Sequence, residues 1–286
     1  MGESKESIAV NPQNWHGPLY AVLAYGTWGL LPLYWKLFLG VPALEVLAHR
    51  ILWSMVLLLL IVILQKKIFL LIELCKKPKQ LFIMLMTSML LGVNWLIYIW
   101  AVNEGFILEA SLGYFINPLV NVFFGMIVFK ERFNVWQSLA LTLAFFGVLN
   151  YLYGFGQLPW IALGLASSFS IYGVLRKISE VGSLVGLTLE TLILFPVAIF
   201  LLSRWTFEGS SHFGTMSELD LYFMGCGLIT TFPLLWFVAA ARRLRYSTMG
   251  FFQYLAPTSQ FFLGVFIYKE LFTTTHLVPF ALIWMA

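Results

Sequence analysis

One seventeen-residue pattern is written twice in this chain. NPLVNVFFGMIVFKERF runs from Asn117 to Phe133, and APTSQFFLGVFIYKELF runs from Ala256 to Phe272, at a constant offset of 139 without a gap. Pro118 falls on Pro257, Gly125 on Gly264, Lys130-Glu131 on Lys269-Glu270 and Phe133 on Phe272. Each copy is an apolar run closed by a bare Lys-Glu pair. The number of membrane-length segments that fit inside one repeat then fixes how the second copy must lie relative to the first.

Composition puts those segments in a bilayer. The chain has 286 residues, of which 60% are hydrophobic and 10% charged, against about 25% charged in a soluble domain. A membrane helix needs about 20 mostly apolar residues. Ten segments qualify, near 17–39, 43–64, 80–103, 108–128, 135–153, 157–175, 184–203, 218–241, 247–268 and 275–286. The runs lack the alternation of a membrane barrel, so the expected fold is all-α. Residues 65–79 carry two lysine clusters around Ile68 to Leu74, the pattern of a short interfacial helix.

Ten segments at this offset give five per repeat, and five is odd. The second copy should therefore enter the membrane upside down, as two halves, 17–153 and 157–286. The last segment is short for a span, so helix ten is expected to be truncated. Earlier matches, YGTWG (25–29) with FSIYG (169–173) and Glu45 with Glu190, need offsets of 144 and 145; loop lengths differ between the copies. Inverted repeats mark secondary transporters, whose sites lie near the midplane between the halves. Pro118 and Pro257 are the matched helix-break candidates, because each removes a backbone donor inside the membrane. Pro32, Pro196 and Pro233 are further candidate kinks.

Lys and Arg set the orientation. Thirteen of the 17 lie at the N-terminus or in alternate loops: Lys5, Lys66, Lys67, Lys76, Lys77, Lys79, Lys130, Arg132, Arg176, Lys177, Arg242, Arg243 and Arg245. The positive-inside rule places that side, and both termini, in the cytoplasm. The net charge of +4 therefore reflects topology rather than a nucleic-acid surface.

Ionisable groups inside membrane segments are functional candidates by default. Glu190 is the deepest acid; it reads as a proton carrier or cation site, or as a glutamate that locks two helices. Glu45 and His49 share a helix face, with Arg50 one step round; they read as an outer gate or anion-attracting mouth, or as an ion pair at a helix end. Asn94, Asn117, Asn121, Gln253 and Gln260 are interleaved with Tyr25, Trp28, Trp95, Tyr98, Tyr114, Tyr172 and Tyr254. An aromatic cavity with a few amides suits a small amphipathic solute that is neutral or zwitterionic, although any one aromatic taken alone reads as packing rather than ligand contact. No HExxH, GxSxG or Walker pattern is written, so neither an enzyme nor ATP-driven transport is expected. Cys75 and Cys226 form no metal-ligand spacing, and no metal or cofactor is expected.

Several strings together, WGLLPLYWK (28–36), LEVLAHRILWS (44–54), NWLIYIWAVN (94–103), EASLGYFINPLVN (109–121), TTFPLL (230–235) and FFQYLAPT (251–258), resemble the EamA family of the drug/metabolite transporter superfamily. The resemblance spans 17 to 286. It implies ten helices in the bacterial inner membrane, two inverted five-helix repeats, and a permease role, usually efflux of amino acids, metabolites or drugs. It also implies a cavity lined by helices one, three, four, six, eight and nine, which accommodates the amides and aromatics but not Glu190. The expected partners are a small-molecule substrate and membrane lipid, with a homodimer left open. A passive channel and a non-transporting receptor are the alternatives.

Overall fold

The computed structural model describes residues 15–267, apart from 105, 133–134, 136–137, 140, 144, 147–148, 150–159 and 215–216. The fifth segment lies largely, and the tenth wholly, outside the described residues, as do Lys269 and Glu270. Among the described residues the regular structure is helical throughout.

Ten α-helices are described: α1 His16–Trp35, α2 Ala43–Leu64, α3 Ile68–Cys75, α4 Pro78–Asn103, α5 Ile107–Ile127, α6 Trp160–Ile178, α7 Ser183–Glu208, α8 Glu218–Ala241, α9 Tyr246–Gln253 and α10 Leu255–Phe262. Five of them, α2, α4, α6, α7 and α8, are long and apolar enough to cross a membrane. Their boundaries follow local chemistry. Gly40, at φ +88, turns the chain before Pro42 opens α2. Gly209, at φ +67, ends α7, where its amide bonds the Thr206 carbonyl, because only glycine takes that left-handed conformation without strain.

Proline acts unevenly. α1, α5, α7 and α8 run without interruption through Pro32, Pro118, Pro196 and Pro233. The segment expected as one helix over 247–268 is instead broken at Tyr254 into α9 and α10. Pro257 lacks the amide that would bond the Gln253 carbonyl, so the break falls where that bond is missing. A π-turn, Leu263–Ile267, follows α10.

Packing is mostly between early and late helices. α2 packs on α7 and α8, α1 on α8 and α10, α4 on α6 and α7, and α5 on α6 and α9. Ala21, Ala24, Tyr25, Leu58, Phe237 and Met249 belong to the largest core cluster. Small residues set the approach: a Cβ on Gly250 would come within 2.9 Å of the Pro118 carbonyl oxygen, so α9 lies directly against α5. The outer surface is apolar, with Leu64, Phe200 and Phe266 among many bare side chains, which suits lipid and not water. α3 buries Leu71 and Leu74 against Met84, Val181, Val185 and Leu189, and leaves Phe69, Leu70 and Ile72 outward.

Candidate functional site

The sequence-selected amides sit between helices, and most of their donors are taken. Asn121 Nδ2 on α5 donates to Gln253 Oε1 on α9 at 2.6 Å, both side chains being buried. Ser170 Oγ on α6 donates to Asn117 Oδ1 at 2.7 Å. Asn94 Nδ2 on α4 donates to the Leu165 carbonyl at 3.0 Å and to Ser168 Oγ at 2.9 Å. Gln260 Nε2 on α10 donates to the Trp28 carbonyl at 3.3 Å. In an apolar medium such bonds tie helix to helix. Among the described residues, Asn121 Oδ1, the Tyr254 hydroxyl and the Tyr25 hydroxyl are buried without a partner.

The aromatics form two groups. Tyr25 and Trp28 on α1 meet Phe169 and Tyr172 on α6 and Phe237 on α8, with ring centroids 5.0–6.1 Å apart. Tyr98 and Tyr114 pack edge to face at 5.6 Å in the surroundings of Arg50. Phe169 and Phe237 were not singled out from sequence, since nothing distinguishes a phenylalanine in a membrane helix from lipid-facing bulk.

The charged residues separate. Glu45 does not pair with His49; its carboxylate takes His212 Nδ1 and the His212 amide, each at 2.7 Å. His49 packs between Phe213 and Phe223, at 4.8 and 4.1 Å, with neither ring nitrogen bonded among the described residues. Arg50 turns inward. Its Nε donates to Thr230 Oγ1 at 2.8 Å, and its guanidinium carbon lies over the Trp95 ring at 4.1 Å and the Trp35 ring at 5.1 Å. A shared helical face places side chains near one another, but each then follows the partner offered by neighbouring helices.

Glu190 has a partner that the sequence hides. Arg176 Nε lies 3.5 Å from Glu190 Oε1, both side chains fully buried, and the Tyr172 hydroxyl approaches the other oxygen at 3.5 Å. The basic count assigns Arg176 to a loop, but α6 continues to Ile178 and carries it inside. Gly186 leaves the room: a Cβ there would collide with the Arg176 guanidinium.

The first Lys-Glu pair also finds its use. Glu131 accepts the amides of Tyr246 at 2.8 Å and Ser247 at 3.0 Å, the opening residues of α9, and Arg245 Nε stands 3.9 Å away. Burial alone would push this carboxyl up, but hydrogen bonds from the Ser247 side chain and amide and the Tyr246 amide, with the Arg245 charge, hold it below the ordinary carboxylate value. Unpaired helix-start amides and the positive end of the helix dipole both favour an anion there. Among the described residues no group of His, Cys, Asp and Glu could hold a metal ion.

Comparison with known proteins supplies the family. The EamA-like transporter family model matches residues 15–153. Protein RarD of Salmonella typhi is 47% identical over 275 residues, covering 96% of this chain and 94% of its own length. An uncharacterized transporter of Vibrio cholerae is 42% identical over 94% of this chain and 90% of its own. The chloramphenicol-sensitive protein RarD of Pseudomonas aeruginosa is 31% identical over 94% and 91%. A solved crystal structure of a protein matches with a TM-score of 0.70 over 94% of this chain and 95% of its own, at 16% identity; that likeness is one of fold. The chain, a multi-pass helical membrane protein, thus belongs to the EamA-like transporter family.

Proposed function

We propose that the chain is a secondary-active permease of the bacterial inner membrane that exports a small amphipathic solute by alternating access, with both termini in the cytoplasm. One observation carries this reading: the principal helix contacts survive exchange of the two halves. If α1 is matched with α6, α2 with α7, α4 with α8, and α5 with the α9–α10 pair, then α1 on α8 becomes α6 on α4. By the same exchange α2 on α8 becomes α7 on α4, and α1 on α10 becomes α6 on α5; all of these contacts are present. The starts of α5 and α9, Ile107 and Tyr246, stand at the 139-residue offset of the sequence repeat. Such an arrangement is what two inverted halves around a shared axis require, and rocking of one half on the other opens a midplane site to each side in turn.

In this reading the site lies where the aromatic groups and the Asn121–Gln253 tie meet, bounded by Trp28, Trp95, Tyr98, Tyr114, Tyr172 and Tyr254. The ties break and reform as the halves move, which suits bonds worth about 1 kcal/mol in membranes. The buried Arg176–Glu190 pair serves as structure rather than as a proton relay, because each charge already has its counter-charge.

The test is flux into proteoliposomes, screened over amino acids, metabolites and amphenicols, with and without a pH gradient. Saturable uptake with counterflow supports a permease, whereas flux linear in concentration identifies a channel. The inversion is tested separately by impermeant labels on Lys130→Cys and Lys269→Cys in a Cys75→Ser, Cys226→Ser background. Labelling of both from one side refutes it.

A further inference from the structure

The geometry points to Arg50 as the anchor for a carboxylate on the transported solute; we infer that the substrate class is a small organic monocarboxylate with an apolar or aromatic body. This deepens the permease reading and rests on it for the word transported, but the binding claim stands on Arg50 alone. The side chain is 4% exposed and starts seven residues into α2, about 10 Å from the helix end. An unpaired charge at such depth is strongly disfavoured. Yet Thr230 Oγ1 accepts its one side-chain hydrogen bond, and no carboxylate stands near it among the described residues.

The bundle itself shows what a structural arginine looks like. Arg176, equally buried, has Glu190 at 3.5 Å, Met84 Sδ at 3.4 Å and the carbonyls of Gly182 and Ser183. Arg50 has two indole faces instead. The two rings lie against the guanidinium carbon, at 5.1 and 4.1 Å, and the terminal N–H groups are the part of the fork that Thr230 does not engage. Those groups have no acceptor among the described residues. A fork of parallel donors beside aromatic rings matches one ligand shape well: a planar carboxylate met two-pronged, with an apolar body against the rings.

The experiment uses the full chain in nanodiscs and pairs of probes that differ only in charge: benzoate with benzamide, and indole-3-acetate with indole-3-acetamide, plus inorganic phosphate. Thermal stability and tryptophan emission are read, since Trp35 and Trp95 flank the guanidinium. At least one acid should bind tenfold or more tighter than its amide, a gap of about 1.4 kcal/mol. Arg50→Gln should erase that gap, and Arg50→Lys, which keeps the charge without the fork, should restore it only in part. The acid–amide comparison needs no variant, so it survives a variant that fails to fold. Amides binding as well as acids, no acid binding up to about 10 mM, phosphate binding as tightly as the acids, or an unchanged gap in folded Arg50→Gln would each overturn the assignment. Acid binding through Arg50 without saturable counterflow leaves the site standing and sinks the permease. Counterflow of an uncharged solute untouched by Arg50→Gln does the reverse.

Discussion

Removing the Glu131 carboxylate should unfasten α9 from the end of α5. Two amides at 2.8 and 3.0 Å lose their acceptor in Glu131→Ala, and the side chain, 8% exposed, leaves little room for water to replace it. Hydrogen bonds to a charged group are worth about 1.5–3 kcal/mol each, and a helix cap about 1–2. Because the two bonds share one carboxylate and one helix end, their loss is expected to cost about 2–3 kcal/mol rather than their sum. Glu131→Gln keeps a carbonyl acceptor and should cost about 1 kcal/mol. Unfolding by SDS in mixed micelles, followed by tryptophan emission, reads both. The pH dependence has a definite sign. A native carboxyl held below its ordinary value stabilises the fold fully above that value and loses the contribution as pH falls through the native one. The gap between wild type and Glu131→Ala should therefore be flat near neutral pH and close under acid, below the ordinary value of 4.5. A gap under about 0.5 kcal/mol at neutral pH, or one that does not close, would refute the capping argument.

Three further outcomes are expected. Glu190→Gln leaves Arg176 as a buried charge without a counter-ion and should cost about 3–5 kcal/mol, with much of the loss recovered in a Glu190→Leu, Arg176→Met double variant; a double-mutant cycle in the same SDS titration checks this. Gln253→Ala should cost only about 0.5–1 kcal/mol in stability, as membrane interhelical bonds do, yet lower counterflow far more; equal losses in both would make the residue simple packing. Gly250→Ala brings a methyl to 2.9 Å from the Pro118 carbonyl and should lower stability by about 1–3 kcal/mol, seen as a shifted unfolding midpoint with unchanged membrane insertion.

The five membrane-length helices are legible because a bilayer accepts little besides long apolar helices, and α3 is legible from its flanking lysines. The division at Tyr254 was half legible. Pro257 signals it, but Pro118 carries the same signal and sits in an unbroken helix, with Gly250 of α9 packed on its carbonyl. Of the site, the residue types could be read and the partners could not. Asn121 and Gln253 are 132 residues apart, and no local rule pairs them. Arg176 was misplaced because a count of basic residues per loop cannot tell a snorkelling arginine from one turned into the bundle. Thr230 and Ser170 went unnoticed, since hydroxyls in membrane helices usually bond their own backbone, as Thr188 does to Leu184.

The interleaving of early and late helices bears on how the molecule is made. A ribosome delivers residues 16–127 to the membrane before most of residues 160–267 exist, so α1, α2 and α5 wait in lipid without most of the neighbours they finally touch. Their side-chain amides and Arg50 must meanwhile be sheltered by water, headgroups or an insertase. Assembly is thus a late event, completed when the second batch of helices slots between the first, and the two pieces expressed as separate polypeptides should be stable together and degraded alone.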